Sequence, residues 1–265
     1  MAASRISSRG GGVLLLAFVL WESRVAAPLL PLRLFRDRSF TVANLIGLTF
    51  SFGIFGSVFI LIQFLQVVQG HGPLAAGVMT MPWTLAPMFV APLAGLLAPR
   101  LGTKTLMIAG LVLLTAGMFW LAGVLSATVP YETLVPGFVA AGIGMGLVFA
   151  PMSTAVLANM RAEDHAKASG TNSTLREIGV ALGVAVLTAV FTGAGGKLTP
   201  TGYVDAAIPA VYVGAAVLVL ATLAAWLLPS RAHARSLAAG AEAGTAVELV
   251  NAGSLTAQFE QQHGP

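Results

Sequence analysis

The sequence predicts an all-α, polytopic helical membrane protein, because six long apolar stretches alternate with short polar loops. Each stretch has at least the ~20 residues that a helix needs to cross about 30 Å of hydrocarbon. Only helices and closed barrels satisfy the backbone hydrogen bonds in lipid, and these stretches lack the two-residue alternation of barrel strands. The predicted spans are Phe40–Val67, Gly77–Ala98, Thr105–Leu125, Leu134–Leu157, Gly170–Phe191 and Ala206–Leu228.

The overall composition agrees with a chain that lies mostly in lipid. Hydrophobic residues make up 57% of the 265 residues, charged residues make up 9%, and the mean hydropathy is +0.86. A water-soluble domain of this size could hardly stay in solution with such values. The net charge of +4 does not indicate a nucleic-acid partner, because the basic residues are spread over loops and form no patch. The chain has no cysteine, which excludes disulfides, thiolate metal sites and a cysteine nucleophile.

The distribution of Lys and Arg predicts the orientation of the spans. Basic residues lie before the first span and after the second, fourth and sixth spans, whereas the intervening loops carry one lysine, Lys197. Cytoplasmic loops of membrane proteins are enriched in Lys and Arg. We therefore expect a multi-pass protein of the plasma membrane, with both ends of the six-helix unit in the cytoplasm.

The two ends of the chain differ from the six-helix unit, which we assign to residues 40–228. Within residues 1–39, Val13–Trp21 is apolar but too short to span. We interpret residues 1–39 as the remnant of a linker membrane helix followed by a basic cytoplasmic segment. A signal peptide is the alternative, but its cleavage would place the following arginines outside. Residues 229–265 are rich in Ala, Gly, Glu and Gln, which predicts a disordered cytoplasmic tail.

Ionisable residues are almost absent from the predicted spans, and Arg176 and Glu177 near the start of the fifth span are the exceptions. A charge at membrane depth is costly and usually marks a coupling or substrate site. Glu177 is therefore a candidate proton-handling carboxylate, paired with Arg176. The alternative is an interfacial pair whose side chains extend to water. Six helices without a buried carboxylate cannot easily run a proton cycle alone.

An enzyme or a channel is not predicted. No histidine lies within a span, and the sequence has no HExxH motif, no GxSxG motif and no paired membrane aspartates. It also has no charged ring or filter loop of the kind that pores use. No metal or cofactor is expected.

Polar amides and aromatic rings within the spans predict a cavity for bulky apolar or cationic ligands. Ring faces attract cations, and amides supply adaptable hydrogen bonds. The alternative is that the Phe residues face lipid and that the tryptophan is an interfacial anchor. The candidate cavity residues are Asn44, Gln63, Trp83, Met145 and Phe149.

Small residues in the fourth and fifth spans predict close contacts between helices. Gly142 with Gly146, and Gly179 with Gly183, have the four-residue spacing that lets two backbones approach each other. These glycines are the candidate helix-packing residues.

The loop after the second span resembles a family signature. Its residues GLLAPRLGTK are similar to G-x-L-A-D-R-x-G-R-K, which lies between the second and third helices of a half in the major facilitator superfamily and is degenerate in C-terminal halves. Gly95, Arg100, Gly102 and Lys104 are among the matching positions, whereas Pro99 replaces the acidic residue. Gly102 permits a tight turn, and basic groups can bond to the carbonyls at helix C-termini. We expect Arg100 and Lys104 to affect gating or insertion but not the choice of substrate.

Three further stretches narrow the resemblance to the fourteen-span drug:proton antiporters, the family of the quaternary-ammonium and multidrug exporters. The segment Pro28–Phe40 looks like the start of the ninth helix in that family. Gly142–Gly146, followed by Pro151 and Thr154, is similar to its twelfth helix, and Ala168–Gly183 is similar to the segment that opens its thirteenth helix.

The resemblance implies the C-terminal six-helix half of a secondary transporter. Such transporters have six N-terminal helices, two linker helices and six C-terminal helices, and their coupling carboxylates lie largely in the half that this chain does not show. The implied function is proton-coupled efflux of amphipathic or cationic drugs, with a missing N-terminal half or a second subunit completing the transport path. The alternatives are a truncated, non-transporting membrane protein and a metabolite exporter of the same superfamily.

Overall fold

The computed structural model describes residues 32–228 and shows seven α-helices, with no strand in this part of the chain. Six of the helices are long and apolar enough to cross a membrane, so the all-α fold class is confirmed. The predictions for residues 1–31 and 229–265 lie outside the described residues. The helices are α1 Arg38–Val67, α2 Pro73–Met79, α3 Met81–Leu101, α4 Thr103–Val124, α5 Tyr131–Leu157, α6 His165–Gly193 and α7 Pro200–Trp226, and two short 3-10 helices are Leu32–Arg36 and Ala162–Asp164.

The start of α1 is fixed by Asp37. Its carboxylate accepts a hydrogen bond from the backbone N–H of Phe40 at 2.8 Å and another from Asn159 Nδ2 at 3.0 Å. Arg33 donates to the buried carboxylate of Asp164 at 2.8 Å. We call Arg33, Asp37, Asn159 and Asp164 the polar end cluster. It joins the segment before α1 to the connection between α5 and α6, at the end of the bundle that is predicted to be cytoplasmic.

The second span begins later than the sequence predicts. The predicted span is Gly77–Ala98, but α2 ends at Met79 and α3 begins at Met81. Pro82 explains the break, because it has no backbone N–H to donate to the carbonyl of Val78, whereas proline fits well in the first turn of a new helix. The start of this span is therefore corrected by four residues.

The long helices pack along the path α3–α5–α4–α7–α1–α6, and smaller contacts of α5 with α1 and α6 link the two ends of this path. On α5, Gly142 and Gly146 face α3, and a Cβ at Gly142 would lie 2.6 Å from the carbonyl oxygen of Trp83. Gly144 faces α4, where a Cβ would lie 2.5 Å from the carbonyl oxygen of Gly110. These positions have no room for a side chain, and the helix backbones touch there.

The contact between α1 and α6 is built in the same way. A Cβ at Gly179 would meet the carbonyl oxygen of Leu48, and a Cβ at Gly183 would meet that of Phe52. From the side of α1, a Cβ at Gly56 would lie 2.7 Å from the backbone of Gly183. Glycine on both helices therefore brings α1 and α6 into direct backbone contact.

Two of the long helices leave most of their apolar surface uncovered within residues 32–228. α3 and α6 are the least buried of the six spans. On α3, Met88 and Phe89 are 70% and 72% exposed, and on α6, Ile178 and Leu182 are also exposed. These faces are open to lipid or to further helices.

Candidate transport site

α1, α5 and α6 meet around Arg176, inside the bundle. The guanidinium carbon of Arg176 lies 4.3 Å from the centroid of the Phe149 ring, a cation–π contact. Phe149 also makes an edge-to-face contact with Phe50 of α1, with ring centroids 5.5 Å apart. Phe149 lies eight residues before the end of α5, which corresponds to about 12 Å along the helix axis. This cluster therefore lies about two helical turns inside the end of α5.

A pair of asparagines lies one helical turn from Arg176. Asn172 Nδ2 donates to Asn44 Oδ1 at 3.2 Å, and Asn44 Nδ2 donates to the carbonyl oxygen of Phe40 at 2.8 Å. Both asparagines are buried. The predicted cavity residue Asn44 thus uses both ends of its amide inside the bundle, where it links α1 to α6. We call Asn44, Phe149, Asn172 and Arg176 the Arg176 cluster.

Glu177 points away from this cluster. Its side chain is exposed, and it forms no ion pair with Arg176 within the described part of the chain. Adjacent residues on a helix face different directions, so a residue pair at i, i+1 cannot readily close. The structure therefore separates the predicted pair: Arg176 lies against Phe149, and Glu177 lies on the open face of α6.

Gln63 lines a different site, a groove of about 500 Å³ between α1, α6 and the start of α7. Its amide forms no hydrogen bond with any residue in the range 32–228. Tyr203, at the edge of the groove, is fixed because its hydroxyl donates to the carbonyl oxygen of Ile60 at 2.9 Å. The other lining residues are mostly apolar, and two of them, Thr188 and Thr192, carry hydroxyl groups. The remaining lining residues are Phe59, Ile60, Val184, Ala185, Phe191 and Leu198.

Trp83 and Met145 are part of neither the Arg176 cluster nor the lining of the groove. Trp83 is 3% exposed and its ring centroid lies 6.4 Å from that of Phe55, so the indole packs inside the bundle and not at its surface. Met145 is half-buried on α5, one turn before Phe149, and packs against the core. Both side chains belong to the interior of the bundle.

The five predicted cavity residues therefore do not form one cavity. Asn44 and Phe149 both lie in the Arg176 cluster, and Met145 lies one turn away from it. Gln63 is nineteen residues after Asn44 on the same helix, which places it about 28 Å further along the axis. The structure thus has two separate sites near opposite ends of α1. One is the Arg176 cluster, and the other is the groove at Gln63, which we call the outer groove.

The signature loop turns tightly and binds the end of α7. Gly102 connects α3 to α4 with φ +92°, a conformation that L-residues with side chains rarely adopt. Lys104, at the start of α4, donates from Nζ to the carbonyl oxygen of Trp226 at 2.6 Å and to that of Leu228 at 2.9 Å. Gly95 and Arg100 are both exposed. The loop thus ties α4 to the C-terminal end of α7, where positive charge is favoured.

The profile of the Major Facilitator Superfamily matches residues 43–259. The chain belongs to the Major Facilitator Superfamily. Since six of its helices are long and apolar enough to span, it is a multi-pass membrane protein.

Several curated proteins are similar to this chain. Multidrug resistance protein Stp of Mycobacterium tuberculosis is 35% identical over 173 residues, which cover 65% of this chain and 32% of that protein. Methylenomycin A resistance protein of Streptomyces coelicolor is 33% identical over 222 residues, or 82% of this chain and 44% of that protein. The tetracenomycin C resistance and export protein of Streptomyces glaucescens is 29% identical over 194 residues, or 73% and 36%. The chain spans about a third to under half of the length of these relatives.

Lys104 is the residue of the superfamily signature whose contacts are best defined in this structure. We expect Lys104→Met to lower the free energy of unfolding by about 1 kcal/mol, because two hydrogen bonds from a charged but partly exposed amine are lost. Thermal melting in detergent, followed by circular dichroism, measures the change. Lys197→Met is the control, since Lys197 lies in an exposed loop and donates no side-chain hydrogen bond to the described residues. Equal effects of the two substitutions would contradict a stabilising role for Lys104.

Asn172 and the residues of α6 and α7 that line the outer groove are not among the residues predicted from the sequence. For Asn172 a signal was present. Asn172, Arg176, Gly179 and Gly183 are separated by four, three and four residues, which places all of them on one face of a helix. That face packs on α1, and Glu177 does not belong to it. No comparable pattern indicates Tyr203, because its position depends on how α7 packs against α1.

Proposed function

We propose that this chain forms one six-helix half of a secondary transporter that exports amphipathic or cationic drugs in exchange for protons. The observation that carries the proposal is the match of about two thirds or more of the chain to proteins named for drug resistance and export. The groove at Gln63 supports it, since about 500 Å³ is a typical volume for a small-molecule site. Its walls are mostly apolar, and the Gln63 amide has no partner within residues 32–228.

A second six-helix unit completes the transport path in this proposal, either in the same polypeptide or in another one. The relatives are two to three times as long as the matched segment. The uncovered faces of α3 and α6 are the surfaces on which such a unit would pack. Alternating access by rocking of two halves needs both of them.

The proton-handling role of Glu177 belongs to the same proposal. The carboxylate is exposed on α6, on a face that a second unit would cover. A carboxylate that becomes enclosed between two halves can change its protonation state as the halves move. We also propose that the protein lies in the plasma membrane with both ends of the bundle in the cytoplasm, which the distribution of Lys and Arg supports.

The test of the proposal is ethidium transport by everted membrane vesicles that contain the chain in its native assembly. We expect Gln63→Ala to raise the half-saturating ethidium concentration about fivefold, which corresponds to the loss of one hydrogen bond of ~1 kcal/mol. Gln66→Ala is the matched control, because Gln66 lies on the same helix but does not line the groove. Vesicles that transport no more ethidium than empty ones would contradict the transport proposal and favour a non-transporting membrane protein.

A further inference from the structure

Most basic residues described in the structure lie in loops or near helix ends. Arg176 differs from them, because it lies in the interior of a span. It is eleven residues from the start of α6, and its Phe149 partner is eight residues from the end of α5. Arg176 Nε is fully buried and has no hydrogen-bond partner among residues 32–228. Its guanidinium carbon lies over the Phe149 ring, 4.3 Å from the ring centroid.

Arg176 is half-buried, and a cation placed among membrane helices is stabilised by a counter-charge. The attraction of an aromatic ring offsets only part of the cost of a charge within hydrocarbon. Nε–H groups of arginine are also strong donors, and an unsatisfied buried donor is destabilising. A ligand that supplies both negative charge and hydrogen-bond acceptors would satisfy both requirements.

None of the carboxylates described in the structure forms an ion pair with Arg176. Those near the predicted cytoplasmic end are engaged elsewhere: Asp37 caps α1, Asp164 pairs with Arg33, and Glu163 lies 3.6 Å from Arg161. Glu132 and Asp205 lie near the starts of α5 and α7, at the opposite end of the bundle. Glu177 is exposed and forms no ion pair in the described residues.

The side chain of Arg176 packs closely against α1, together with those of Asn172 and Met152. Gly47 of α1 lies beneath it, and a Cβ at Gly47 would lie 3.2 Å from Asn172 Nδ2, 3.3 Å from Arg176 Cγ and 3.3 Å from Met152 Sδ. The Phe149 ring covers one face of the guanidinium and holds its orientation. A planar guanidinium held in this way presents its N–H edge, which matches the two oxygens of a carboxylate.

From this geometry we propose that Arg176, supported by Phe149, binds a carboxylate. A single carboxylate neutralises a single guanidinium, whereas a phosphate dianion would leave excess charge within the membrane. The carboxylate comes either from a transported compound or from an acidic side chain of the second six-helix unit proposed above. The inference rests on the proposed function and deepens it, because the first source adds zwitterionic and anionic compounds to the cationic substrates.

The experiment measures binding, so that its outcome is independent of ethidium transport. The native assembly is purified into lipid nanodiscs and titrated with norfloxacin, a zwitterion with a carboxylate, and with norfloxacin methyl ester, which lacks it. Fluorescence anisotropy of the probe gives Kd. For a substrate carboxylate we expect the acid to bind at least ~10-fold more tightly than the ester. Arg176→Gln removes this preference, and Arg176→Lys keeps part of it.

A matched control and a second readout complete the test. Lys167→Gln removes one positive charge from the same helix, away from the cluster, and is expected to leave both Kd values unchanged.

If acid and ester bind equally, a protein carboxylate is indicated by a fall in the melting temperature below pH 5 that Arg176→Gln abolishes. Equal binding together with the same pH dependence of melting in the wild type and in Arg176→Gln would overturn the proposal. Loss of ethidium transport with the acid preference retained would contradict the proposed function alone.

Discussion

Replacing Gly183 by alanine is expected to destabilise the bundle by about 2 kcal/mol, the cost typical of inserting one methyl group into a closely packed interior. A Cβ at this position would meet the carbonyl oxygen of Phe52 and lie 2.8 Å from its Cα. These atoms belong to the backbone of α1, so no side-chain rotation can relieve the overlap, and α1 and α6 must separate. For a chain of this size, we expect the melting temperature in detergent to fall by about 5 °C.

Gly170→Ala is the matched control for Gly183→Ala. Gly170 lies on the same helix, and a Cβ there would have no other heavy atom within 4 Å. Since alanine favours the helix over glycine, this substitution is expected to leave the melting temperature unchanged or to raise it slightly. A similar fall for both variants would show that the contact between α1 and α6 is not what Gly183 contributes.

Replacing Asp164 by alanine is expected to release the segment before α1 from the connection between α5 and α6. Asp164 is 4% exposed and pairs with Arg33, whose side chain is 57% exposed, so the loss is about 1–2 kcal/mol and not the full value for a buried pair. Chemical denaturation of Asp164→Ala, Arg33→Ala and the double variant gives the coupling energy. We expect the double variant to be hardly less stable than Asp164→Ala.

The neighbouring pair provides the control for this cycle. Glu163 and Arg161 are exposed and 3.6 Å apart, so Glu163→Ala is expected to leave the stability unchanged. The effect of Asp164→Ala should also persist at high salt, because screening acts weakly on a buried carboxylate. Additive losses in the Asp164 and Arg33 variants would rule out the ion pair as a link between the two segments.

The six spans were predictable because the thickness of the membrane imposes their length. At the second span, local chemistry explains the difference from the prediction: Pro82 ends one helix and begins the next, and the span that the hydropathy pattern places from Gly77 begins at Met81. The helices of the fifth and sixth spans begin before the predicted starts, at His165 and Pro200. The contact faces of the glycines at positions 142 and 183 were also visible in the sequence, because four-residue spacing places such residues on one side of a helix.

The candidate site was predictable only in part, because residue type does not give the rotation or depth of a helix in the bundle. Asn44 and Gln63 are both polar residues of α1, yet one is bonded to Asn172 and the other lines the outer groove. Arg176 and Glu177 are adjacent in the sequence, but only Arg176 shares the face of Asn172. The contact between Arg176 and Phe149 joins residues 27 positions apart on two different helices, so no local pattern indicates this contact.

Direct backbone contacts between α1 and α6 and between α4 and α5 have a consequence for how the bundle moves. Helices joined by interlocking side chains can slide past one another through a series of rotamer changes. Helices whose main chains touch at glycine must first come apart, because every intermediate register would bring a larger residue against a carbonyl group. We therefore expect this bundle to move as a rigid block. Spin labels on paired cysteines, introduced into a chain that has none of its own, should give a single, narrow distance between α1 and α6 whether or not a drug is bound.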